Sequence, residues 1–508
     1  MKKSKLFMII SLGVLVVCIV GSTYALYSMV LSKNVGVNST THGLAYYINY
    51  VKGTDITSST LSPSTTYEGG ASSDIEFWKK DDSYDIYGKI DLTVNTIGTN
   101  LKNSAALKYA VVNNGKVLKQ GSLKGTTSGA KVTILKNLYL EQTKQIYTVY
   151  VWLDNSEELG NISNESLSIS VDCTASLQKE PTAADTIISL YTNASKTTVT
   201  NNSITYNTAP SVSLMNDRLG STSTGIDSGN IRYYGASPNN YIYFNCSDYS
   251  NQTSSTCETW RIIGVFNGKL KIIRNTSIGN YSWDNKNTST GAESNAVKND
   301  WTTARLMKLL NPSDYYATDS NDNGLGQSLY WNSASGKCYS GANKATTNCD
   351  FTSTGIKNYV TRNLISEEIW SLGGWSSWGV YSNQIYEYER GTTVYSGRPT
   401  TWTGKIGLMY PSDYGYAADL SKCTKQLSSY TDSTCTSSDW LFNSAYQWTL
   451  TPNSSNASGV FSVYSPGFLS YSSAPESYVG TRPVLYLASD LAMESGDGSS
   501  SNPYKLSA

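Results

Sequence analysis

The sequence predicts a β-rich chain of mixed class: an apolar N-terminal leader, a β-sandwich, and then an α+β module. Three observations support this prediction. Short runs of alternating apolar and polar residues fill the first part after the leader, strand and helix periods mix in the second part, and a Thr/Asn/Ser-rich stretch lies between them. A chain of 508 residues exceeds one ordinary domain, so we expect at least two separate cores.

Residues 1–32 have the pattern of an export signal or a membrane anchor. Lysines near the N-terminus precede an apolar run that ends at Val20, and small residues follow up to Ala25, as at a signal-peptidase site. The stretch between Lys5 and Lys33 carries no charge and is long enough for a membrane helix. A cleaved signal and an uncleaved anchor both remain open. In either case we expect the rest of the chain to be extracellular, either at the cell surface or secreted. We also expect the N-terminal segment to associate with the membrane.

Residues 36–177 predict an antiparallel β-sandwich. Apolar and polar residues alternate in Lys89–Val94, Ile146–Trp152 and Leu167–Val171, the period of half-buried strands. Between two such runs, Asn114-Gly115 supplies the residue types that a type I′ hairpin turn requires.

Residues 178–210 predict a linker. Pro181 precedes a short helical pattern from Ala183 to Leu190, and the segment Thr192 to Thr208 then offers few apolar residues to bury. We therefore expect a short helix followed by a tether.

Residues 211–508 predict an α+β module. Asn267-Gly268 indicates a second type I′ hairpin, and helices are expected from Asp300 to Leu310 and from Gly355 to Leu372. Four tryptophans in regular patterns are assigned to its core: Trp260, Trp301, Trp370 and Trp440.

The cysteines predict disulfides. Six of them form three consecutive pairs of nearly equal spacing, and an exported chain folds in an oxidising compartment; these pairs are Cys246 with Cys257, Cys338 with Cys349, and Cys423 with Cys435. A zinc site is the alternative, but it needs CxxC-type pairs or histidines. Cys18 belongs to the leader, and Cys173 is expected to be a buried apolar residue.

Charge and composition exclude several functions. The chain has 39 basic and 39 acidic residues, so it provides no field that attracts nucleic acid. A Ser/His/Asp arrangement would have to recruit His42, the single histidine, and no GxSxG motif is present. Glu387 and Glu389 could resemble a glycosidase pair on one face of a strand, but a solvated face is the simpler interpretation. We expect no catalysis and no cofactor.

Two further patterns remain open between a binding site and ordinary structure. Asp319–Gly324 places oxygen ligands at alternate positions as a calcium loop does, but Tyr330 stands in place of the bidentate glutamate, and a plain turn explains the pattern as well. An aromatic group with neighbouring glycines indicates either an exposed loop that contacts a ligand or core packing; its members are Trp375, Trp378, Tyr381, Tyr386 and Tyr388.

The first module resembles camelysin and TasA-like exported fibre proteins. The resemblance rests on Gly21–Ser28, which is similar to their cleavage region, and on Val149–Asp154, which is similar to a late core strand. Camelysin-like proteins are described as metalloproteases, but this chain has no HExxH motif, so the resemblance does not imply that activity here.

The second module resembles a domain of surface proteins from Gram-positive gut bacteria. The matching segments are Ile231–Gly235, Pro238–Tyr241, Thr259–Val265, Trp448–Pro452 and Gly480–Val484. The closing pattern is similar to the C-type-lectin-like fold of formylglycine-generating enzymes and of retroelement-diversified binding proteins. The formylglycine reaction needs two thiols close together, whereas six of the seven cysteines after the leader are expected to be paired.

In the diversified proteins, the segment before the last strand contacts the ligand. The resemblance therefore implies a ligand-binding segment from Tyr446 to Tyr478 in this chain, with these contact residues: Trp448, Asn453, Ser455, Asn456, Ser462, Tyr464, Phe468, Tyr471 and Tyr478. We expect a bacterial cell-surface ligand-binding or adhesion protein whose partner is a surface protein or a glycan. The alternative is a structural subunit of an extracellular fibre, in which the β-sandwich polymerises by strand addition.

Overall fold

A computed structural model describes residues 29–31, 47–155, 159, 161–162, 164–218, 229–249, 251–285, 298–317, 325–339 and 347–507. The chain divides into two compact units, Met1–Glu180 and Pro181–Ala508, each described here by itself. Both are mostly β, and the β-rich mixed fold predicted from the sequence is confirmed.

The described residues of unit 1 form two sheets. One has the strand order β1-β11-β6-β9, with β3 beside β11, and the other has the order β2-β5-β10-β7-β8, with β4 beside β10. Its elements are β1 (Met29–Leu31), β2 (Ile48–Val51), β3 (Ile56–Thr57), β4 (Pro63–Ser64), β5 (Ala71–Lys79), β6 (Tyr87–Ile97), α1 (Thr99–Asn103), β7 (Leu107–Asn113), β8 (Lys116–Ser122), β9 (Lys131–Tyr139), β10 (Ile146–Asp154) and β11 (Leu167–Ser176).

Alternation along the strands of unit 1 builds its core. In β5 the side chains of Ile75 and Phe77 are fully buried while those of Asp74 and Ser72 are exposed, because successive strand residues point to opposite faces. The inward residues of both sheets belong to one hydrophobic cluster. The Asn114-Gly115 turn joins β7 to β8 with φ of 49° and 72°, which confirms the predicted hairpin.

Unit 2 contains the remaining elements. Its strands are β12 (Thr197–Asn201), β13 (Ile204–Ala209), β14 (Leu214–Asn216), β15 (Ile231–Tyr233), β16 (Tyr241–Phe244), β17 (Glu258–Phe266), β18 (Lys269–Arg274), β19 (Ser335–Cys338), β20 (Thr347–Asp350), β21 (Glu368–Ser371), β22 (Thr401–Gly404), β23 (Ile406–Gly407), β24 (Gln447–Pro452), β25 (Gly459–Val463), β26 (Leu469–Ser473), β27 (Val484–Tyr486), β28 (Met493–Ser495) and β29 (Lys505–Leu506). Its helices are α2 (Ala183–Asn193), α3 (Arg305–Leu310), α4 (Tyr359–Asn363), α5 (Ser382–Glu389), α6 (Pro411–Ala417) and α7 (Ser433–Thr436).

A large antiparallel sheet organises unit 2. Its strand order is β12-β13-β14-β15-β17-β18-β27-β23, with β16 beside β17, so the last part of the chain returns to pair with β18. A smaller sheet with the order β24-β25-β26 carries the predicted ligand-binding segment. Asn267-Gly268 joins β17 to β18 with φ of 49° and 74°, as predicted.

The predicted linker differs from the structure. Thr182 and Asp185 form a capping box at the start of α2, which confirms the short helix. The segment Thr192 to Thr208, predicted to be a tether, instead contains β12 and β13, and β13 pairs with β14 in the large sheet. Hydrogen bonds between strands stabilise this Thr- and Asn-rich segment, and Tyr206 is buried in a hydrophobic cluster against which Val199 and Ile204 pack. Unit 2 therefore starts at Pro181 rather than at residue 211.

Two predicted helices are also shorter than the sequence suggests. Helix α3 begins only at Arg305, after a turn that starts at Asp300. Of the segment Gly355 to Leu372, only Tyr359–Asn363 is helical, because its last part pairs as β21 with β22. Strand pairing overrides helical periodicity there.

The cysteine predictions are confirmed. Disulfides join Cys246 to Cys257, Cys338 to Cys349 and Cys423 to Cys435. Cys173 is free and fully buried in unit 1, and burial raises the pKa of its thiol well above the ordinary value, which makes it unreactive. The four tryptophans assigned to the core of unit 2 are at most 7% exposed.

Most of the predicted leader lies outside the described residues, as do Cys18, His42 and the Asp319–Gly324 loop. Met29–Leu31, which the sequence places in the leader, instead form β1 and pair with β11. Among the helices of the described ranges, none is both long and apolar enough to cross a membrane.

A buried ion network connects the large sheet to α6. Asp413 on α6 bonds to Lys271 of β18 and, at 3.0 Å, to Arg232 of β15, and Arg232 also bonds to Asp217. All four side chains are at most 1% exposed. Burial alone would raise the pKa of Asp413, but the cations of Lys271 and Arg232 lower it, so the carboxylate stays ionised.

Candidate ligand-binding surface

The predicted ligand-binding segment forms the sheet β24-β25-β26. Phe461 pairs with Tyr471, and Ser462 pairs with both Trp448 and Ser470, so neighbouring strands place side chains from distant sequence positions on shared faces. Its nine predicted contact residues fall into three groups: buried, exposed on a loop, and aromatic at the surface.

Three of the nine residues are buried and do not line a surface, which corrects the sequence-based assignment. Trp448 is 2% exposed and its Nε1 donates to the Tyr281 carbonyl at 2.8 Å. Asn453 is 1% exposed and its Oδ1 accepts from the backbone and hydroxyl of Ser455. Ser462 is fully buried, with its Oγ 3.0 Å from that of Ser472. These residues shape the sheet, because solvent does not reach them.

Ser455 and Asn456 are exposed on the loop between β24 and β25. This loop is held from below by the side chain of Asn299, whose Nδ2 donates to the carbonyls of Asn453 at 2.9 Å, Asn456 at 2.8 Å and Gly459 at 2.9 Å. Asn299 is 1% exposed. One buried amide therefore sets the loop's conformation.

Arg398 completes the support of the same loop. Its Nε donates to Asn299 Oδ1 at 3.2 Å, and its Nη2 donates to the Ala457 carbonyl at 3.3 Å. The guanidinium thus orients the Asn299 amide so that its NH₂ group faces the loop carbonyls. Asn299 and Arg398 are positioning residues that the sequence did not reveal, since neither belongs to a motif and both are distant from the loop in the chain.

The loop from Gly373 to Val380 lies beside the loop between β24 and β25. Trp375 forms a bridge with Asn453, and the Ser454 amide donates to the Trp375 carbonyl at 3.0 Å. The Trp375 ring stacks on Tyr388 of α5, with centroids 3.8 Å apart and an angle of 8°. This stack anchors one end of the loop.

Trp378 brings the two predicted candidate regions together. Its ring lies 5.1 Å from that of Tyr471 on β26, tilted by 55°. Trp378 is 40% exposed and Tyr471 is half-buried. We call the group Trp375, Trp378, Ser455, Asn456 and Tyr471 the Trp378 surface. The sequence left open whether this aromatic group lies on an exposed loop or in the core, and the answer differs from ring to ring. Tyr386 is buried, Tyr381 and Tyr388 are half-buried, and Trp378 is exposed.

The other predicted aromatic residues form a second cluster around Tyr446. Its ring lies 5.0 Å from Tyr464 and 5.3 Å from Tyr478, and Tyr464 stacks on Phe468 at 4.9 Å. Tyr478 is 50% exposed, and its hydroxyl donates to Glu476. Tyr464 also donates to the Tyr471 carbonyl, so this side chain braces β26.

The two glutamates that the sequence offered as a possible catalytic pair lie in different environments. Glu387 and Glu389 lie on α5 rather than on a strand, with Glu387 exposed and Glu389 buried, so they do not form the pair considered from the sequence. Glu389 accepts from the Ser412 amide at 2.8 Å and also from its hydroxyl, and burial raises its pKa to about 7. Within the described part of the chain, no group of three or more His, Cys, Asp or Glu side chains could hold a metal ion.

Comparison with known proteins leaves the family open. No protein family model matches the chain, and no curated protein matches it.

Proposed function

We propose that this chain is an exported cell-surface protein that binds an extracellular ligand through the Trp378 surface, on a unit of the C-type-lectin-like type. The contact between Trp378 and Tyr471 carries the proposal. An indole that is 40% exposed beside a half-buried phenol leaves apolar area in water, which a ligand would remove. Aromatic rings of this kind supply large contact area at low entropy cost.

The supports of the surface also favour binding. The exposed rim residues Ser455 and Asn456 stand on a loop that Asn299 and Arg398 hold in one conformation. A preorganised surface loses less conformational entropy when a ligand binds. The disulfides fit a protein that folds in an oxidising compartment, as an exported protein does.

An array of saccharides and extracellular proteins tests the proposal with the purified full chain. We expect at least one ligand whose binding is weakened about tenfold or more by Trp378→Ala, the loss typical of a central aromatic contact. The matched control is Ile369→Ala, which removes an apolar side chain that is 73% exposed on β21, outside the Trp378 surface. Equal binding by Trp378→Ala and the wild type would contradict the proposal. Filaments of the purified chain in electron microscopy, without ligand binding, would favour the fibre subunit.

A further inference from the structure

We propose that the ligand of the Trp378 surface is a neutral saccharide. This inference rests on the proposed function and adds the chemical class of the ligand. It follows from three properties: the lack of charged residues in the two segments that build the surface, the polar groups around its rings, and the exposed rings themselves.

The two segments that build the surface contain no charged side chain. Neither Gly373–Tyr386 nor Tyr446–Pro475 includes a single Asp, Glu, Lys, Arg or His. Arg398 is nearby, but its guanidinium bonds to Asn299 and to the Ala457 carbonyl below the loop. A charged ligand would lose hydration on this surface without gaining an opposite charge from these segments, and that loss is costly. The surface therefore favours a neutral ligand.

The polar groups at the surface match hydroxyl groups. Asn456 Oδ1 accepts from the amides of Ser458 at 2.9 Å and Gly459 at 3.1 Å, and its Nδ2 remains a donor at an exposed position. Ser455 Oγ bonds to Asn453 Oδ1 and retains acceptor capacity. Ser376 and Ser377, on the loop beside Trp378, are also exposed. Sugar hydroxyls both donate and accept, so they can pair with amide and hydroxyl groups together.

The rings supply the apolar part of the contact. The face of an aromatic ring is electron-rich, so it attracts C–H groups that carry partial positive charge, such as those on one face of a pyranose ring. Trp378 and Tyr471 present such rings side by side, with the hydroxyl and amide groups of the loop nearby. A protein partner would use the same rings, but arginine is enriched at protein interfaces, and these segments provide no acidic counterpart for it.

Affinity electrophoresis of the full chain tests the ligand class. Gels contain one polysaccharide each, three neutral (a β-1,3-glucan, a mannan and starch) and one acidic (polygalacturonate). We expect retardation by at least one neutral polysaccharide, with equal strength at low and high salt because no ion pair forms. Trp378→Ala and Tyr471→Ala should each weaken binding about tenfold or more, whereas Ile369→Ala should bind as the wild type does.

A further variant distinguishes a blocked binding surface from a misfolded chain. Ser455→Trp places a bulky side chain at an exposed loop position, so we expect it to block the surface while the melting temperature stays close to that of the wild type. Retardation that survives in the Trp378, Tyr471 and Ser455 variants would overturn the assignment of the site. Retardation only by polygalacturonate, lost at high salt, would overturn the ligand class.

The failure of this inference differs from the failure of the proposed function. If no neutral polysaccharide retards the chain but an arrayed protein binds in a Trp378-dependent manner, the saccharide is wrong and the binding function stands. If neither a saccharide nor a protein binds through Trp378, both are wrong.

Discussion

The rings of Trp378 and Tyr471 lie against each other with centroids 5.1 Å apart, although one belongs to a loop before α5 and the other to strand β26. Each residue is a separate candidate in the sequence. Their contact turns two candidate regions into one surface, and the surface determines which of the predicted residues can meet a ligand.

The Trp378–Tyr471 contact should be measurable as a coupling in stability. In a double-mutant cycle with Trp378→Ala and Tyr471→Ala, we expect a coupling of about 0.5–1.5 kcal/mol, the range for aromatic pairs beyond their buried area. Denaturant unfolding of the full chain gives the four free energies. A cycle that combines Tyr471→Ala with Ile369→Ala is the control, and coupling of the same size there would show that the effect is not specific to the rings.

Asn299→Ala should loosen the loop that carries Ser455 and Asn456. The substitution removes the amide whose two N–H groups are shared among three carbonyls, and a typical hydrogen bond contributes about 0.5–1.5 kcal/mol to stability. We expect faster amide hydrogen exchange in residues 453–459 and weaker ligand binding, with both rings still present. Asn155→Ala is the matched control, because Asn155 is exposed in unit 1. Unchanged exchange in the loop of Asn299→Ala would show that other contacts determine its conformation.

Asp413→Asn should strongly destabilise unit 2. It leaves the buried cations of Lys271 and Arg232 without their shared carboxylate, and breaking a buried pair costs about 3–5 kcal/mol. Lys52→Met is the comparison, since its ion pair with Asp55 at 3.7 Å is more exposed and is worth about 0–1 kcal/mol. Chemical denaturation measures both. A loss below 1 kcal/mol for Asp413→Asn would mean that the network relaxes around the substitution.

Asp439 should make stability depend on pH. Burial raises the pKa of its carboxyl to about 8, although the amides of Leu441 and Phe442 oppose this shift. The folded chain then holds this proton more tightly than the unfolded chain, whose Asp has a pKa of about 4. The contribution of this carboxyl to the free energy of unfolding is therefore fully present below about pH 4. It is lost as the pH rises toward 8, by at most about 1.4 kcal/mol per pH unit.

Melting curves across this range check the effect of Asp439. Asp439→Asn keeps the acceptor Oδ1 and cannot ionise, so its stability should fall less with pH than that of the wild type. Some dependence should remain, because burial also raises the pKa of Asp284 to about 8. Parallel pH profiles for the variant and the wild type would exclude a contribution from Asp439.

Removal of the Cys246–Cys257 disulfide should destabilise unit 2 by about 3 kcal/mol, the chain-entropy value for a short loop. The variant Cys246→Ala with Cys257→Ala tests this by thermal unfolding. Cys173→Ala serves as the control for thiol loss, because Cys173 is free and lies in unit 1. An unchanged melting temperature for unit 2 in the double variant would show that burial alone stabilises this loop.

Local sequence patterns predicted the elements whose conformation depends on neighbouring residues. The Asn-Gly hairpins, the capped helix after Pro181, the alternating strands of unit 1 and the three disulfides all follow from short-range chemistry. The predictions that failed concern segments whose strand pairing the apolar pattern does not indicate. Thr192–Thr208 has too few apolar residues to suggest strands, yet pairing with β14 and within its own hairpin satisfies its backbone.

The candidate surface shows the same division most clearly. The sequence by itself determined that aromatic, serine and asparagine side chains crowd into two charge-free segments, Gly373–Tyr386 and Tyr446–Pro475. Only the tertiary structure decided that Trp448, Asn453 and Ser462 are buried and that Trp378 joins Tyr471 at the surface. The physical reason is that burial depends on which strands and loops pack together. A side chain's own chemistry cannot specify that packing, and the supports Asn299 and Arg398 come from distant parts of the chain.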